Sequence, residues 1–260
     1  MMNILQKIVR DLRPALSLRQ SRRALSSLLR DAAELPAPAD FTAALSAPGI
    51  NVIAELKKAS PSKGLIRADF DVTRCAVELE AYGAAALSVL TEENYFDGSL
   101  ANLQAVSKLV QIPLLCKDFI IEPYQICEAR LHGASAVLLI AALLSDQQLD
   151  ELCAFAAELG LAVLGEAHSQ EELERLLASK IRLIGINARD LKSFRCDLEG
   201  AEKLLRQIPA ERIAVAESAI SQADDIQRLQ TAGARAFLIG ESLMRAESPG
   251  NKLRELLCHA

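Results

Sequence analysis

Eight short apolar runs, each followed by a stretch of helical periodicity, restrict what this chain can fold into more than any other feature. The runs are Val52–Lys57, Ala86–Leu90, Pro113–Lys117, Ala136–Ile140, Ala162–Glu166, Leu183–Asn187, Ile213–Glu217 and Ala236–Gly240. They are apolar throughout rather than alternating, as expected of parallel strands covered on both faces. The segments between them, such as Gln147–Leu159, Glu171–Leu177 and Ala223–Gln230, have their apolar residues at helical spacing. Gly83-Ala84, Gly133-Ala134 and Gly233-Ala234 stand just before three of the runs, where glycine suits a helix C-terminus. This order predicts an α/β fold, a single (β/α)8 barrel over residues 49–260, preceded by an N-terminal helical extension over residues 1–48. A doubly wound open sheet is the alternative, but no Gly-x-Gly-x-x-Gly fingerprint follows the first run.

Composition narrows the function classes. With 51% hydrophobic residues the chain is not disordered, and no apolar run reaches the roughly 18 residues needed to cross a bilayer. The 6 cysteines are scattered without a Cys-x-x-Cys pair, so reduced thiols in a reducing, cytoplasmic compartment are expected. His132, His168 and His259 have no metal-ligand spacing, and a metal site is not expected. Net charge is −5, yet residues 1–30 hold seven Lys/Arg against Asp11 alone. Such an Arg- and Ser-rich start reads either as a transit peptide or as a helix packed on the barrel. Ile4, Leu5, Ile8, Val9 and Leu12 recur at helical spacing, which favours the helix. Pro14 should end that first helix, because proline inside a helix costs about 3 kcal/mol. Without interleaved aromatics the basic segment does not indicate nucleic-acid binding.

Polar residues collect where the runs end. Glu55 and Lys57 end the first, two apart and so on one face; Lys117-Asp118 end the third, Glu166 the fifth, Asn187 the sixth and Glu217-Ser218 the seventh. In a barrel these ends converge on the face where active sites are built. Charges near any single strand end also arise simply because a loop begins; mixed acids and lysines at five ends point to a site. The loops Glu217-Ser218-Ala219-Ile220 and Ile239-Gly240-Glu241-Ser242 occupy the positions that commonly hold phosphate, with Gly240 admitting close backbone approach. Glu241 should then turn its side chain away while its amide donates, and Lys57 should supply countercharge. His168, two residues beyond Glu166, reads as a loop or capping histidine.

Several of these stretches are also a family signature. Glu55-Leu56-Lys57-Lys58-Ala59-Ser60-Pro61-Ser62-Lys63-Gly64, Ser88-Val89-Leu90-Thr91-Glu92, Cys116-Lys117-Asp118-Phe119-Ile120-Ile121, Gly185-Ile186-Asn187 with Arg189-Asp190-Leu191, Glu217-Ser218 and Leu238-Ile239-Gly240 occur in order. In this the chain resembles the indole-3-glycerol phosphate synthase family. The resemblance implies a small phosphorylated substrate, 1-(2-carboxyphenylamino)-1-deoxyribulose 5-phosphate, and a cofactor-free ring closure with loss of carbon dioxide and water. It implies catalytic roles for Glu55, Lys57, Lys117, Glu166, Asn187 and Glu217. Ser60, Phe96, Phe119, Leu138, Arg189 and Ser218 would contact substrate, and Lys57, Ser218, Ala219, Gly240 and Glu241 its phosphate. A monomer or weak homodimer, free of membrane, is expected. Which of Glu55, Lys57 and Glu166 serves each acid or base step stays open.

The chain departs from the family pattern at Ala219, where glycine is usual. Either the backbone keeps the positive φ that glycine permits and the alanine is strained, or the loop has shifted to negative φ and the alanine is unstrained; the second is the expectation. Two rival functions stand beside the synthase: a barrel aldolase with a Schiff base on Lys117, and a degenerate barrel kept as a scaffold, against which the complete polar set argues.

Overall fold

In the computed structural model, which describes residues 3–189 and 196–258, every one of the apolar runs is a strand. They are β1 (Asn51–Leu56), β2 (Ala86–Leu90), β3 (Leu114–Lys117), β4 (Ala136–Ile140), β5 (Ala162–Ala167), β6 (Leu183–Asn187), β7 (Ile213–Glu217) and β8 (Ala236–Ile239). Each pairs parallel with the next and β8 closes on β1, giving a (β/α)8 barrel. The open-sheet alternative is thereby excluded. Lys57 and Gly240 fall just beyond their strands, and β3 starts after Pro113, which has no N–H to give to a ladder.

The period of two along each strand sorts the side chains. Ile53, Leu115, Leu164, Leu183, Ile213, Val215 and Leu238 form one cluster inside the barrel. Val52, Ala54, Leu56, Cys116, Ile184, Ile186, Ala214 and Phe237 face outward into the layer shared with the helices. Burying each Leu, Ile or Phe contributes about 1.5–3 kcal/mol, so a one-residue slip, which would exchange the two sets, is strongly disfavoured. The register also carries the site: continuing the inward set by two places from Ile53, Leu115, Leu164 and Val215 reaches Glu55, Lys117, Glu166 and Glu217. Gly83, Gly133 and Gly233 have φ of 96°, 91° and 108°, the left-handed geometry anticipated after a helix.

Three helices precede the barrel: α1 (Ile4–Arg22), α2 (Leu25–Ala33) and α3 (Phe41–Ser46). Phe41 and Leu45 of α3 join the interior cluster, and the Asn51 amide holds the end of α3 through the Leu45 and Ala47 carbonyls at 3.2 and 2.9 Å. A capping box opens α1, with Gln6 N–H donating to Asn3 Oδ1 at 2.8 Å and Asn3 N–H to Gln6 Oε1 at 3.1 Å.

The expected break at Pro14 is not there; α1 runs through it as 19 residues. Contacts on both sides of the proline explain this. Before it, Leu5 and Ile8 are buried and Tyr95 Oη donates to Asp11 at 2.7 Å. After it, Leu16 is buried, Arg19 pairs with Glu128 at 2.9 Å and Tyr124 Oη donates to the Arg19 carbonyl at 3.0 Å. These hold the helix despite the lost hydrogen bond. Pro14→Ala is expected to stabilise the fold by about 1 kcal/mol or more. Thermal unfolding should register a rise of about 2–4 °C per kcal/mol; an unchanged midpoint would mean that the proline costs this helix nothing.

Candidate active site

The C-terminal ends of the strands surround a cavity of about 400 Å³. Every sequence-selected residue lines it: Glu55, Lys57, Ser60, Phe96, Lys117, Phe119, Leu138, Glu166, Asn187, Arg189, Glu217, Ser218, Ala219, Gly240 and Glu241. Asp190 and Leu191 of the sequence motif, and His259, lie outside the described residues. Leu5 and Ile8 of α1 add an apolar wall that strand-end reasoning did not supply. Among the described residues no His, Cys, Asp and Glu side chains are gathered as a metal-ligand set.

At the floor, Lys117 Nζ donates to Glu166 Oε2 at 2.8 Å and to Glu217 Oε2 at 3.3 Å. All three groups are nearly out of solvent, with side-chain exposures of 13%, 2% and 1%. Burial opposes the Lys117 charge, but Glu166, then Glu217 and Glu55, outweigh it and raise its pKa. One ammonium cannot serve two carboxylates equally. Burial pushes both glutamates up; Lys117 and then His168 pull Glu166 below the ordinary carboxylate range. Glu217, relieved only in part by Lys117 and facing charged Glu166, stays well above it. The site therefore offers a cation, a carboxylate and a protonated carboxyl within one cluster.

Two glycines make room for this chemistry. A Cβ on Gly185 of β6 would stand 2.1 Å from Glu217 Oε1, and one on Gly240 would stand 2.4 Å from Glu55 Oε1. Glu55 is ion-paired with Lys57, so that pair lies against the loop after β8. Glycine inside a strand signals close approach of another group, and Gly185 carried that signal in the sequence unused.

The aromatic side of the cavity is equally built. Phe96 and Phe119 rings lie 5.9 Å apart. Glu92 accepts from the Tyr95 and Phe96 amides at 2.6 and 3.2 Å, fixing the short helix that presents Phe96. Thr91 Oγ1 donates to Asp118 at 2.6 Å and Phe119 N–H to the same carboxylate at 2.7 Å, which orients Phe119. Ser60 belongs to a small hairpin, Ala59–Ser60 against Gly64–Leu65, formed by the Ser-Pro-Ser-Lys-Gly loop.

On the opposite side, Asn187 Oδ1 accepts from Ser218 Oγ at 2.8 Å and from the Arg189 amide at 3.0 Å. The Glu241 side chain does not turn away as expected. It lines the cavity, paired with Arg189 at 3.1 Å, Lys63 at 3.3 Å and Arg245 at 3.1 Å. Three cations around one carboxylate compensate an acid beside a candidate anion site. His168 likewise does more than cap: its Nε2 is 3.3 Å from Glu166 Oε1 and its Nδ1 3.4 Å from Glu172 Oε2.

The loop after β7 overturns the expectation for Ala219. Ser218 and Ala219 have φ of 68° and 59°, both left-handed. The loop is held in this turn by the Ser218–Asn187 bond and by Ser242 Oγ donating to the Ile220 carbonyl at 2.9 Å. A Cβ in this region costs about 1 kcal/mol or more. Ala219→Gly should thus leave stability unchanged or slightly raised, strain relief offsetting unfolded-state entropy, and should tighten binding of inorganic phosphate several-fold. Clear destabilisation with unchanged phosphate affinity in calorimetry would show the alanine to be unstrained.

The sequence comparisons agree on one family. A family model described as indole-3-glycerol phosphate synthase matches residues 5–256. An indole-3-glycerol phosphate synthase of Koribacter versatilis is 50% identical over 99% of this chain and 100% of its own length. Those of Acidithiobacillus ferrooxidans and Dehalococcoides mccartyi are 46% and 45% identical, each over 98% of this chain and 99% and 100% of their own. Among solved structures, the thiamine phosphate pyrophosphorylase of Pyrococcus furiosus superposes with a TM-score of 0.58 at 16% identity, covering 80% of this chain and 93% of that one; the likeness is one of fold.

Proposed function

The chain belongs to the indole-3-glycerol phosphate synthase family, and on that premise we propose how its own residues carry out the reaction. The protein is a carbon–carbon lyase of tryptophan biosynthesis. It converts 1-(2-carboxyphenylamino)-1-deoxyribulose 5-phosphate to indole-3-glycerol phosphate by ring closure, decarboxylation and dehydration. The observation that carries the assignment of roles is Lys117 held between Glu166 and Glu217 at the cavity floor.

The anthranilate ring lies along Phe96, Phe119 and Leu138, and the phosphate at the loops after β7 and β8, near Lys57, Ser218, Ala219, Gly240 and Glu241. The carbonyl then faces Lys117. As the ring carbon attacks, a carbon–carbon bond forms and the carbonyl π electrons pass to oxygen. The Lys117 ammonium stabilises that oxyanion and, because an alkoxide is the stronger base, gives it a proton. The bond to the carboxyl group breaks, carbon dioxide leaves, and its electron pair returns to the ring. The new hydroxyl departs as water with a proton from an acid, and the newly closed five-membered ring becomes aromatic as its saturated carbon loses a proton to a base. Glu166, held as a carboxylate, suits the base; Glu217, held protonated beside Lys117, or Lys57 suits the acid. Glu55 positions Lys57, and Asn187 with Arg189 and Ser60 orient the substrate.

The aldolase reading fits less well. A Schiff-base lysine must reach its neutral form, whereas Glu166 and Glu217 hold Lys117 as the ammonium. Borohydride should trap no substrate on Lys117. The direct test is incubation of the purified protein with the carboxyphenylamino substrate while indole fluorescence is followed. Turnover is expected, undiminished by a chelator; absence of indole product, or a strict metal requirement, would sink the proposal. We place the enzyme in the cytoplasm as a monomer or weak homodimer, a state that sedimentation checks; no described helix is long and apolar enough to cross a membrane.

A further inference from the structure

Two buried glutamates share one lysine at the floor of this site, and something must decide which of them keeps the charge. The distances of 2.8 and 3.3 Å from Lys117 to Glu166 and Glu217 differ too little to do so alone. A second cation on one side would. His168 provides it: the ring is 11% exposed and lies 3.3 Å from Glu166 through Nε2 and 3.4 Å from Glu172 through Nδ1. The Glu172 carboxylate also accepts the His168 backbone N–H at 2.7 Å, which ties the ring to the helix Gln170–Ala178. Nε2 makes no aligned hydrogen bond in the free protein although it is buried. Its hold on Glu166 is therefore electrostatic.

We propose that His168 is a positioning residue for Glu166: clamped between Glu166 and Glu172, its imidazolium makes Glu166 the charged member of the Glu166–Glu217 pair. The groups that face the ring are Glu166 from its own strand, Glu172 from the following helix and Glu217 from β7, all acidic, with Lys117 beyond Glu166. Burial disfavours the imidazolium, but hydrogen bonding to Glu172 and the charges of Glu166, Glu172 and Glu217 overcome that and raise its pKa. The ring thus remains charged above the ordinary histidine range. The two roles then divide: Glu166 is kept ready to accept a proton, and Glu217 is left to hold one.

The kinetic arm of the test rests on the assignment of Glu166 as the base; the titration arm does not. If the reaction needs the Glu166 carboxylate, kcat is lost as pH falls through the Glu166 pKa. Removing the neighbouring cation raises that pKa, so the acid limb of the profile must move to higher pH. In His168→Asn the limb is expected to move up by about one unit or more, with kcat lowered on the order of tenfold at neutral pH and KM nearly unchanged. Glu172→Gln, which loosens the clamp and keeps the ring, should move the limb the same way by less. An unmoved limb in His168→Asn, or a rise in KM with kcat intact, overturns the proposal. Independently of turnover, nitrogen NMR of the wild-type ring should show it doubly protonated at pH 7, and a ring already neutral at pH 6 overturns it. Should the wild-type protein fail to convert the substrate, the functional reading falls while the ring titration still decides the role of His168.

Discussion

Replacement of Lys117 by alanine is expected to lower kcat on the order of 10²-fold or more, with a much smaller change in substrate binding. In the proposed mechanism the ammonium meets the reacting oxygen mainly when charge has developed on it, so its loss would be felt in the transition state. Lys57, paired with Glu55 beside the loop after β8, should differ: Lys57→Ala raises KM as well as lowering kcat. The Lys117 variant also has a stability signature. Glu166 and Glu217 are left buried without the ammonium they share, and breaking such a pair costs about 3–5 kcal/mol. Proton uptake by the Glu166 carboxylate relieves that cost, so the deficit relative to wild type should shrink as pH is lowered. Steady-state kinetics and denaturant unfolding at two pH values check both parts. A near-normal kcat in Lys117→Ala would remove it from the chemistry.

Gly185→Ala is expected to cost almost as much, although the added methyl meets no substrate. Its Cβ would stand 2.1 Å from Glu217 Oε1 and 3.4 Å from Leu164 Cδ1. Glu217 is 2% exposed and has little room to yield. The carboxyl group must swing away from Lys117 or the strand must shift. Misplacement of about 1 Å in a catalytic group can cost on the order of 10²-fold in rate, and overpacking typically costs about 1–3 kcal/mol. Both kcat and thermal midpoint should therefore fall. A paired Gly185→Ala, Glu217→Ala variant should recover stability, since the collision disappears, without recovering activity. If Gly185→Ala keeps wild-type kcat, the position of Glu217 is not as critical as the Lys117 cluster implies.

The strands were legible because each is buried on both sides and carries its own apolar run, bounded by turns. Glycine at 83, 133 and 233 could be assigned to helix ends for the same local reason: left-handed backbone there is cheap for glycine. The cluster of charges could be read once the barrel was inferred, since period-two alternation sends Glu55, Lys117, Glu166 and Glu217 to one end of one interior. Pro14 misled because its helix-breaking cost is local, whereas the bonds that override it, from Arg19, Asp11 and Tyr124, reach across long stretches of chain. Ala219 misled similarly: residue preference favours negative φ, but the hydrogen bonds of Ser218 and Ser242 hold the turn left-handed.

What the sequence by itself determined, then, was the barrel, the end of it at which the candidate site lies and the residue types gathered there. These follow from burial periodicity and backbone preference, which act between neighbours along the chain. The protonation and partners of those residues belong to the tertiary structure alone. Glu166 and Glu217 are alike in the sequence, each an acid at a strand end. They become different only when Lys117 lies between them, His168 stands beside one, and Gly185 leaves space for the other. Electrostatic energy in a buried site depends on distances between groups far apart in the chain, and only the closed barrel sets those distances.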